Sequence, residues 1–73
     1  MNEIRVYPLK QSFGWIKNKK KWRIERIQNN TNTNITIYNT YFSIKGSLIN
    51  LHKTRIIIQD LEKTYHKNNI TYV

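Results

Sequence analysis

A lysine run between two tryptophans is the segment of this 73-residue sequence best suited to chemistry. Four of the five residues 17–21 are lysines, Trp15 and Trp22 flank them, and Arg23 follows. Ammonium groups bind the phosphates of a polyanion, and an aromatic face beside them can stack a nucleobase for ~1–3 kcal/mol. The pattern therefore favours nucleic-acid binding. The competing interpretation is a solvated loop whose charge keeps the chain soluble.

The distribution of charge supports a polyanionic partner. Thirteen Lys and Arg against four Asp and Glu give a net charge of +9. Residues 10–26 hold seven basic residues and one acidic residue, a net +6, whereas residues 27–44 are uncharged. The many Ile, Asn and Lys residues suggest an AT-rich genome, but codon usage alone would not concentrate two thirds of the excess in seventeen positions. A basic surface of this kind attracts nucleic acid.

Catalysis finds no support among the ionisable residues. The acids and histidines of the chain are Glu3, Glu25, Asp60, Glu62, His52 and His66. No two acids have a spacing suited to acid–base chemistry, and the histidines are fourteen positions apart without neighbouring ligands. The absence of cysteine excludes a disulfide framework and a thiolate metal site. We expect no enzyme activity, no cofactor and no metal.

Composition and length predict one small globular domain. The chain is 38% hydrophobic and 23% charged, which is typical of a folded domain rather than a disordered chain. No apolar stretch approaches the ~18 residues of a membrane span, and the N-terminus lacks the apolar segment of a signal peptide. We expect a protein with no membrane partner that is intracellular, in the nucleus, nucleolus or cytoplasm, and not secreted.

The lysine run is predicted to join two short helices. An alternating strand is expected at 3–8, and a first helix at 9–16 with Ser12 as its candidate N-cap. Isoleucines at helical spacing predict a second helix at 21–30. The run between them becomes a basic inter-helix loop.

The second half of the chain predicts a hairpin and a long helix. Two alternating runs, 35–38 and 41–44, are separated by Asn39 and Thr40. Gly46 and Ser47 mark a turn and a helix cap, and a helix follows at 47–66. The apolar stripe expected on that helix is Leu48, Leu51, Ile57, Ile58, Leu61 and Tyr65. We expect one domain over 1–66 and a frayed C-terminal tail over 67–73.

This order of elements, joined to specific residues, resembles a type I KH domain. The carrying residues are Phe13-Gly14-Trp15-Ile16, a four-residue loop, then Ile24, Ile27, Thr31, Ile35, Ile37, Ile44, Gly46, Leu51, Thr54 and Ile58. The likeness covers about residues 4–62. It implies an α+β, β-α-α-β-β-α fold whose three-stranded sheet has its helices packed on one face.

Within that family, the chain is most similar to the KH domain of Partner-of-Nob-type factors. The carrying segments are Thr31–Ile35, Asn39-Thr40, Ile44–Ser47, Asn50-Leu51 and Arg55. Such factors assemble the small ribosomal subunit and bind ribosomal RNA beside the Nob endonuclease. The resemblance therefore implies a monomeric module for single-stranded ribosomal precursor RNA, with the Nob endonuclease as a further candidate partner. Known members are longer and carry a further degenerate KH domain.

KH domains clamp about four single-stranded nucleotides with a G-x-x-G loop. The matching residues here are Asn18–Lys21, so both glycines are missing and we expect a weaker clamp in which lysines partly compensate. The expected RNA-binding residues are Gly14, Trp15, Ile16, Lys17, Asn18, Lys19, Lys20, Lys21, Arg23, Asn34 and Thr36. For Trp22 and Ile24 we favour core packing. Ile35 and Ile37 fit either the groove or the core.

Two other functions fit the sequence. The glycine-free loop is also compatible with a KH-fold module that docks a protein within a ribonucleoprotein assembly and binds little RNA itself. The charge alone would suit a nonspecific cationic binder of DNA or RNA. Dependence of affinity on salt, together with loop substitutions, separates these functions.

Overall fold

The computed structural model describes residues 1–69, which form six elements in the predicted order. They are β1 (Asn2–Val6), α1 (Lys10–Lys19), α2 (Lys21–Thr31), β2 (Asn34–Ile37), β3 (Phe42–Gly46) and α3 (Leu48–Asn69). The α+β class is confirmed. Helix α3 begins one residue later and ends three residues later than predicted, and positions 70–73 of the predicted tail lie outside the described residues. No helix within residues 1–69 has the length and apolar character needed to cross a membrane.

The three strands form one antiparallel sheet in the order β1-β3-β2. Ile44 in the central strand pairs with Ile4 on one side and Ile35 on the other. The Tyr38 N–H donates to the Tyr41 carbonyl at 2.9 Å and closes the predicted hairpin. Strands β1 and β2 are therefore the two edges of the sheet.

Strand alternation gives the sheet one covered face and one open face. The apolar residues on the covered face are Ile4, Val6, Ile35, Ile37, Phe42 and Ile44, and all three helices bury side chains in the same core cluster. The opposite side, which we call the open face, carries Glu3, Arg5, Tyr7, Asn34, Thr36, Tyr38, Tyr41, Ser43 and Lys45. Polar and aromatic side chains thus occupy the uncovered side.

The buried stripe of α3 differs from the predicted one at two positions. Leu51, Ile58 and Leu61 are buried as expected, but Leu48 is 69% exposed and Ile57 is 36% exposed. At about 100° per residue, Leu48 and Ile57 lie to either side of the line through the buried residues. They mark the edges of the stripe rather than its centre.

The predicted N-cap of α1 is also wrong. Leu9 has extended dihedral angles and occupies the cap position, so Ser12 lies inside the helix and is fully buried. The Ser12 hydroxyl lies 3.0 Å from the Leu9 carbonyl and 3.2 Å from Glu62 Oε2 on α3. The hydroxyl has one proton and can donate it to only one of these acceptors at a time. Its contact with Glu62 connects α1 to α3.

A chain of buried threonine hydroxyls fixes the passage from α2 to β2. Asn32 ends α2 in the left-handed region, at φ 53°. On either side, Thr31 and Thr33 are buried with their hydroxyl oxygens 2.7 Å apart, and Thr33 Oγ1 lies 3.3 Å from Thr54 Oγ1 on α3. The segment that carries the ribosome-factor resemblance therefore has a structural role at this helix end.

This arrangement makes Gly46 sensitive to substitution. A Cβ at Gly46 would lie 3.0 Å from Thr33 Cγ2, whose side chain is held by the hydroxyl contacts. We expect Gly46→Ala to lower the free energy of unfolding by about 1–3 kcal/mol, as overpacking does. Urea denaturation followed by circular dichroism measures the change. In a Thr33→Ser background, which removes the methyl group and keeps the hydroxyl, most of that loss should disappear.

Gly14 supplies the matched control for this substitution. A Cβ there would meet no heavy atom within 4 Å, and Gly14 lies inside α1. Gly14→Ala should therefore leave stability unchanged or raise it by roughly 0.5–1 kcal/mol through helix propensity. Equal losses for both glycine variants would contradict the steric explanation.

Candidate nucleic-acid interface

The lysine run forms a helix junction, and the predicted four-residue loop is wrong. Helix α1 continues through Asn18 and Lys19, and α2 begins at Lys21, so Lys20 alone separates them, at φ −124° and ψ 23°. Without glycine at Asn18 or Lys21, nothing in the run favours leaving the helical region, and within residues 1–69 positive φ occurs at Asn32 alone. The run therefore lacks the glycine-dependent close approach of backbone to a ligand and offers lysine side chains beside the start of α2.

Backbone hydrogen bonds define the junction and leave the start of α2 open. The Lys20 N–H donates to the Ile16 carbonyl at 3.0 Å, and the Lys20 carbonyl accepts from the Arg23 N–H at 2.9 Å. No side chain caps the N-terminus of α2, and its first turn holds no acidic residue. Free N–H groups at the start of α2 therefore lie beside the lysines, which favours an anion, and Lys17 and Lys19 offset the partial negative charge at the end of α1.

Two tryptophans bracket Lys20, as a cluster that we call the Trp–Lys cluster (Trp15, Lys20, Trp22 and Arg23). Lys20 Nζ lies 5.6 Å from the Trp15 ring centroid and 5.7 Å from that of Trp22. The Arg23 guanidinium lies 5.7 Å from the Trp22 ring. These distances are within the range of cation–π attraction.

The two tryptophans differ in burial. Trp15 is half-buried against the core and lies 5.3 Å from the Tyr65 ring on α3. Trp22 is 53% exposed, so its predicted packing in the core is wrong. Two residues along a helix turn a side chain by about 200°, so burying Ile24 turns Trp22 outward. Trp22 thus presents an exposed aromatic face at the junction, on the flank of α2 that carries Arg23.

A cleft of about 310 Å³ separates α2 from the edge strand β2. Its lining consists of Lys21, Ile24, Glu25, Gln28, Ile35, Thr36 and Ile37. Gln28 Oε1 accepts the Ile35 N–H at 2.6 Å and so pairs one outward peptide group of the edge strand. By alternation, the Ile37 peptide groups face the same edge. The α2–β2 cleft therefore combines apolar walls with backbone and side-chain polar groups.

Not all of the predicted binding residues converge on this site. Exposed Lys17, Asn18, Lys19 and Lys21 surround half-buried Lys20 at the junction. Ile16 is 0% exposed and belongs to the core, so its expected contact with RNA is wrong. Gly14 is half-buried on α1 beside open space, and it lines neither of the clefts beside α2.

Arg23 lies on the far side of α2. With Trp22 and Arg26 it lines a second cleft, of about 240 Å³, which Ile57 of α3 closes. Lys21 and Arg23 therefore lie on opposite flanks of α2. An extended ligand that crosses the junction can contact both residues, but Arg23 does not line the α2–β2 cleft.

Asn34 does not join the lysines, and Thr36 meets them only at the rim of the cleft that Lys21 also lines. Both are exposed and lie on the open face, since Ile35 and Ile37 turn toward the helices. Asn34 borders a separate hollow with Met1 and Lys45 at the far end of β2 from Lys21. Thr36 reaches the rim of the cleft. Of the expected β2 residues, Asn34 therefore lies away from the cleft, whereas Thr36, Ile35 and Ile37 line it.

Sequence reasoning also missed polar residues of the cleft. Glu25 and Gln28 lie four and seven positions after Lys21, a helical spacing that places all three on one flank of α2. That spacing was the available signal. The Glu25 carboxylate repels phosphate, so the favourable position for a phosphate is the junction rather than the cleft itself.

Comparisons with known proteins leave the site to be interpreted from its own chemistry. No protein-family model, curated protein or solved structure matches this chain. Across residues 1–69, no three His, Cys, Asp or Glu side chains are grouped so that they could hold a metal ion. What the described residues offer is a cationic junction, exposed aromatic rings and a small cleft.

Proposed function

We propose that this protein is a KH-type module that binds single-stranded RNA. The observation that carries the proposal is the junction, where consecutive lysines meet the uncapped N-terminus of α2 beside the α2–β2 cleft. Phosphates bind at helix N-termini because free N–H groups and the helix dipole favour negative charge. Lysines at the same point add charge that a neutral ligand would not require.

The bases of the single-stranded RNA have two places to bind. The α2–β2 cleft begins at Lys21, so a base there adjoins a phosphate at the junction. Exposed Trp22 offers a ring on which a neighbouring base can stack. Single strands can use both places because their bases are unpaired, whereas duplex RNA keeps its bases stacked inside the helix.

Ribosomal precursor RNA, in the assembly of the small subunit, is the RNA that we propose. Support comes from the ungapped sequence pattern and from the order of the six elements around a three-stranded sheet. The one-residue junction departs from the glycine loop of KH domains. It replaces a backbone clamp with lysine side chains, so we expect binding that depends on salt and is less specific for base sequence.

Competition between single-stranded and duplex RNA tests this function. Fluorescence anisotropy of a labelled RNA of about ten nucleotides should give an affinity for the single strand at least tenfold above that for its duplex. Equal affinity for both would favour the nonspecific cationic binder instead.

Trp22→Ala should weaken binding of the single strand by about tenfold, because base stacking on an aromatic ring is worth ~1–3 kcal/mol. The ring is 53% exposed, so the free energy of unfolding should change little. Trp22→Phe retains an aromatic face and serves as the control, with affinity restored to near the original. Unchanged affinity in Trp22→Ala would exclude this residue from the interface.

A protein-docking function has one favourable observation. Met1, Leu48 and Ile49 are 96%, 69% and 70% exposed around a hollow of about 600 Å³ at the start of β1. Exposed apolar residues in one place are typical of protein contacts. This patch lies outside the lysine junction, so removing the lysine charge would leave a partner on the patch bound.

A further inference from the structure

The open face carries a stack of three tyrosine rings where the three strands end. The Tyr41 ring lies between the others, 5.1 Å from Tyr7 and 4.9 Å from Tyr38. Tyr38 and Tyr41 are nearly parallel, at 17°, and Tyr7 is tilted by 33° from Tyr41. We call these three rings the tyrosine stack.

The ends of the tyrosine stack are accessible. Tyr7 is 64% exposed and Tyr38 is 46% exposed, while Tyr41 in the middle is half-buried. Alternation explains the position, since Tyr7 and Tyr41 extend the open face beyond the Val6–Phe42 pair. Two outer rings without cover are an unusual arrangement, because aromatic side chains bury their faces where the fold allows it.

Arg5 lies against the tyrosine stack, and a second cation, Lys10, lies at the same end of the sheet. The Arg5 guanidinium lies 5.3 Å from the Tyr41 ring centroid, and a side-chain hydrogen bond to Tyr7 raises the pKa of Arg5. Lys10 lies near the hairpin turn at the same end of the sheet, in a hollow with Asn39 and Thr40. The acid of the open face, Glu3, accepts a hydrogen bond from Ser43 nearer the start of β1.

We propose that the tyrosine stack is a second contact for single-stranded nucleic acid, on the opposite side of the sheet from the helices. Rings stacked in parallel with an exposed outer ring match the π-faces of nucleobases, and Arg5 supplies charge for an adjoining phosphate. The net charge of +9 favours a polyanion at this face over a partner that is neutral or has few acidic groups. Open sheets with exposed aromatic side chains use the same chemistry to bind RNA.

The stack and the lysine junction are separate sites, so the inference does not depend on the function proposed for the junction. No residue of the tyrosine stack lines the α2–β2 cleft or belongs to the Trp–Lys cluster. A nucleic-acid strand long enough to extend from the lysine junction around the edge of the β-sheet would contact both sites. A strand held by the tyrosine stack alone would bind more weakly.

Two matched probes test the tyrosine stack by itself. One is a fluorescein-labelled single-stranded RNA of about ten nucleotides, and the other is an abasic phosphodiester chain of the same length. In Tyr7→Ala/Tyr38→Ala, we expect at least fivefold weaker binding of the RNA and unchanged binding of the abasic chain, because only stacking is lost. Tyr7→Phe/Tyr38→Phe keeps both rings and should bind RNA as the original chain does.

The opposite results would overturn the proposal. If the alanine variant binds RNA as tightly as the original chain, the stack makes no contact with bases. An equal loss on both probes would assign the effect to charge or folding instead, and circular dichroism would identify a folding defect. The comparison is repeated in a Lys19→Gln/Lys20→Gln background, where a remaining fivefold loss would establish the stack even if the junction does not bind RNA.

Discussion

Replacing Lys19, Lys20 and Lys21 together with glutamine is expected to weaken binding of single-stranded RNA by about a hundredfold at 0.1 M salt. Each neutralised phosphate on a single strand contributes about 0.7 to the slope of log affinity against log salt. Three such contacts therefore make the affinity at 0.1 M salt about a hundredfold higher than at 1 M salt. The same variant should lower the magnitude of the salt slope by about 2.

A charge-matched variant separates local contacts from net charge. Lys53, Lys63 and Lys67 are exposed on α3, away from the junction in sequence. Lys53→Gln/Lys63→Gln/Lys67→Gln carries the same net charge as the junction variant, and we expect it to lose only a fewfold in affinity. Similar losses for both triple variants, measured by anisotropy across a salt series, would show that total charge rather than the junction holds the RNA.

Ile58→Ala should be among the most damaging single substitutions in the chain. Ile58 is 0% exposed, in the middle of the buried stripe of α3. Removing its side chain loses apolar burial and leaves a cavity, at a cost of about 2–5 kcal/mol. A chain of this length is stable by only about 4–11 kcal/mol, scaled from 0.05–0.15 kcal/mol per residue. We expect a loss of about half of the folding stability, as measured by urea denaturation with circular dichroism.

Ile49→Ala is the control for this prediction. Ile49 is on the same helix and undergoes the same chemical change, but its side chain is 70% exposed. We expect its free energy of unfolding to stay within about 0.5 kcal/mol of the original. Comparable losses at Ile49 and Ile58 would contradict the helix phase in which Leu51, Ile58 and Leu61 are buried.

Periodicity predicted the elements of the fold well because both periods were visible in the sequence. The hairpin around Asn39 and the helix from Leu48 follow from alternation and from 3.6-residue spacing. The phase of α3 was less certain, because Ile56, Ile57 and Ile58 are consecutive and tertiary packing selects which of them is buried. Thr54 completes that stripe with a hydroxyl that bonds within its own helix, a role that an apolar template does not detect.

The candidate site was harder to predict because it depends on helix ends and strand faces. The four-residue loop was taken from a family pattern with glycines, and their absence lets α1 continue to Lys19. A shift of one residue along a strand exchanges its faces, so choosing Asn34 and Thr36 selected the open face. The exposure of Trp22 follows from the burial of Ile24 two positions later, and predicting core packing for both residues overlooked this helix phase.

An amide NMR titration with a four-nucleotide single-stranded RNA tests the central claim most directly. The Tyr7→Ala/Tyr38→Ala protein should be used, so that the tyrosine stack does not contribute. If the junction and the α2–β2 cleft bind RNA, the largest shifts will be at residues 17–24 and 35–37, with smaller ones along α3. Shifts spread evenly over all lysines, or no shifts at millimolar RNA, would contradict RNA binding at this site.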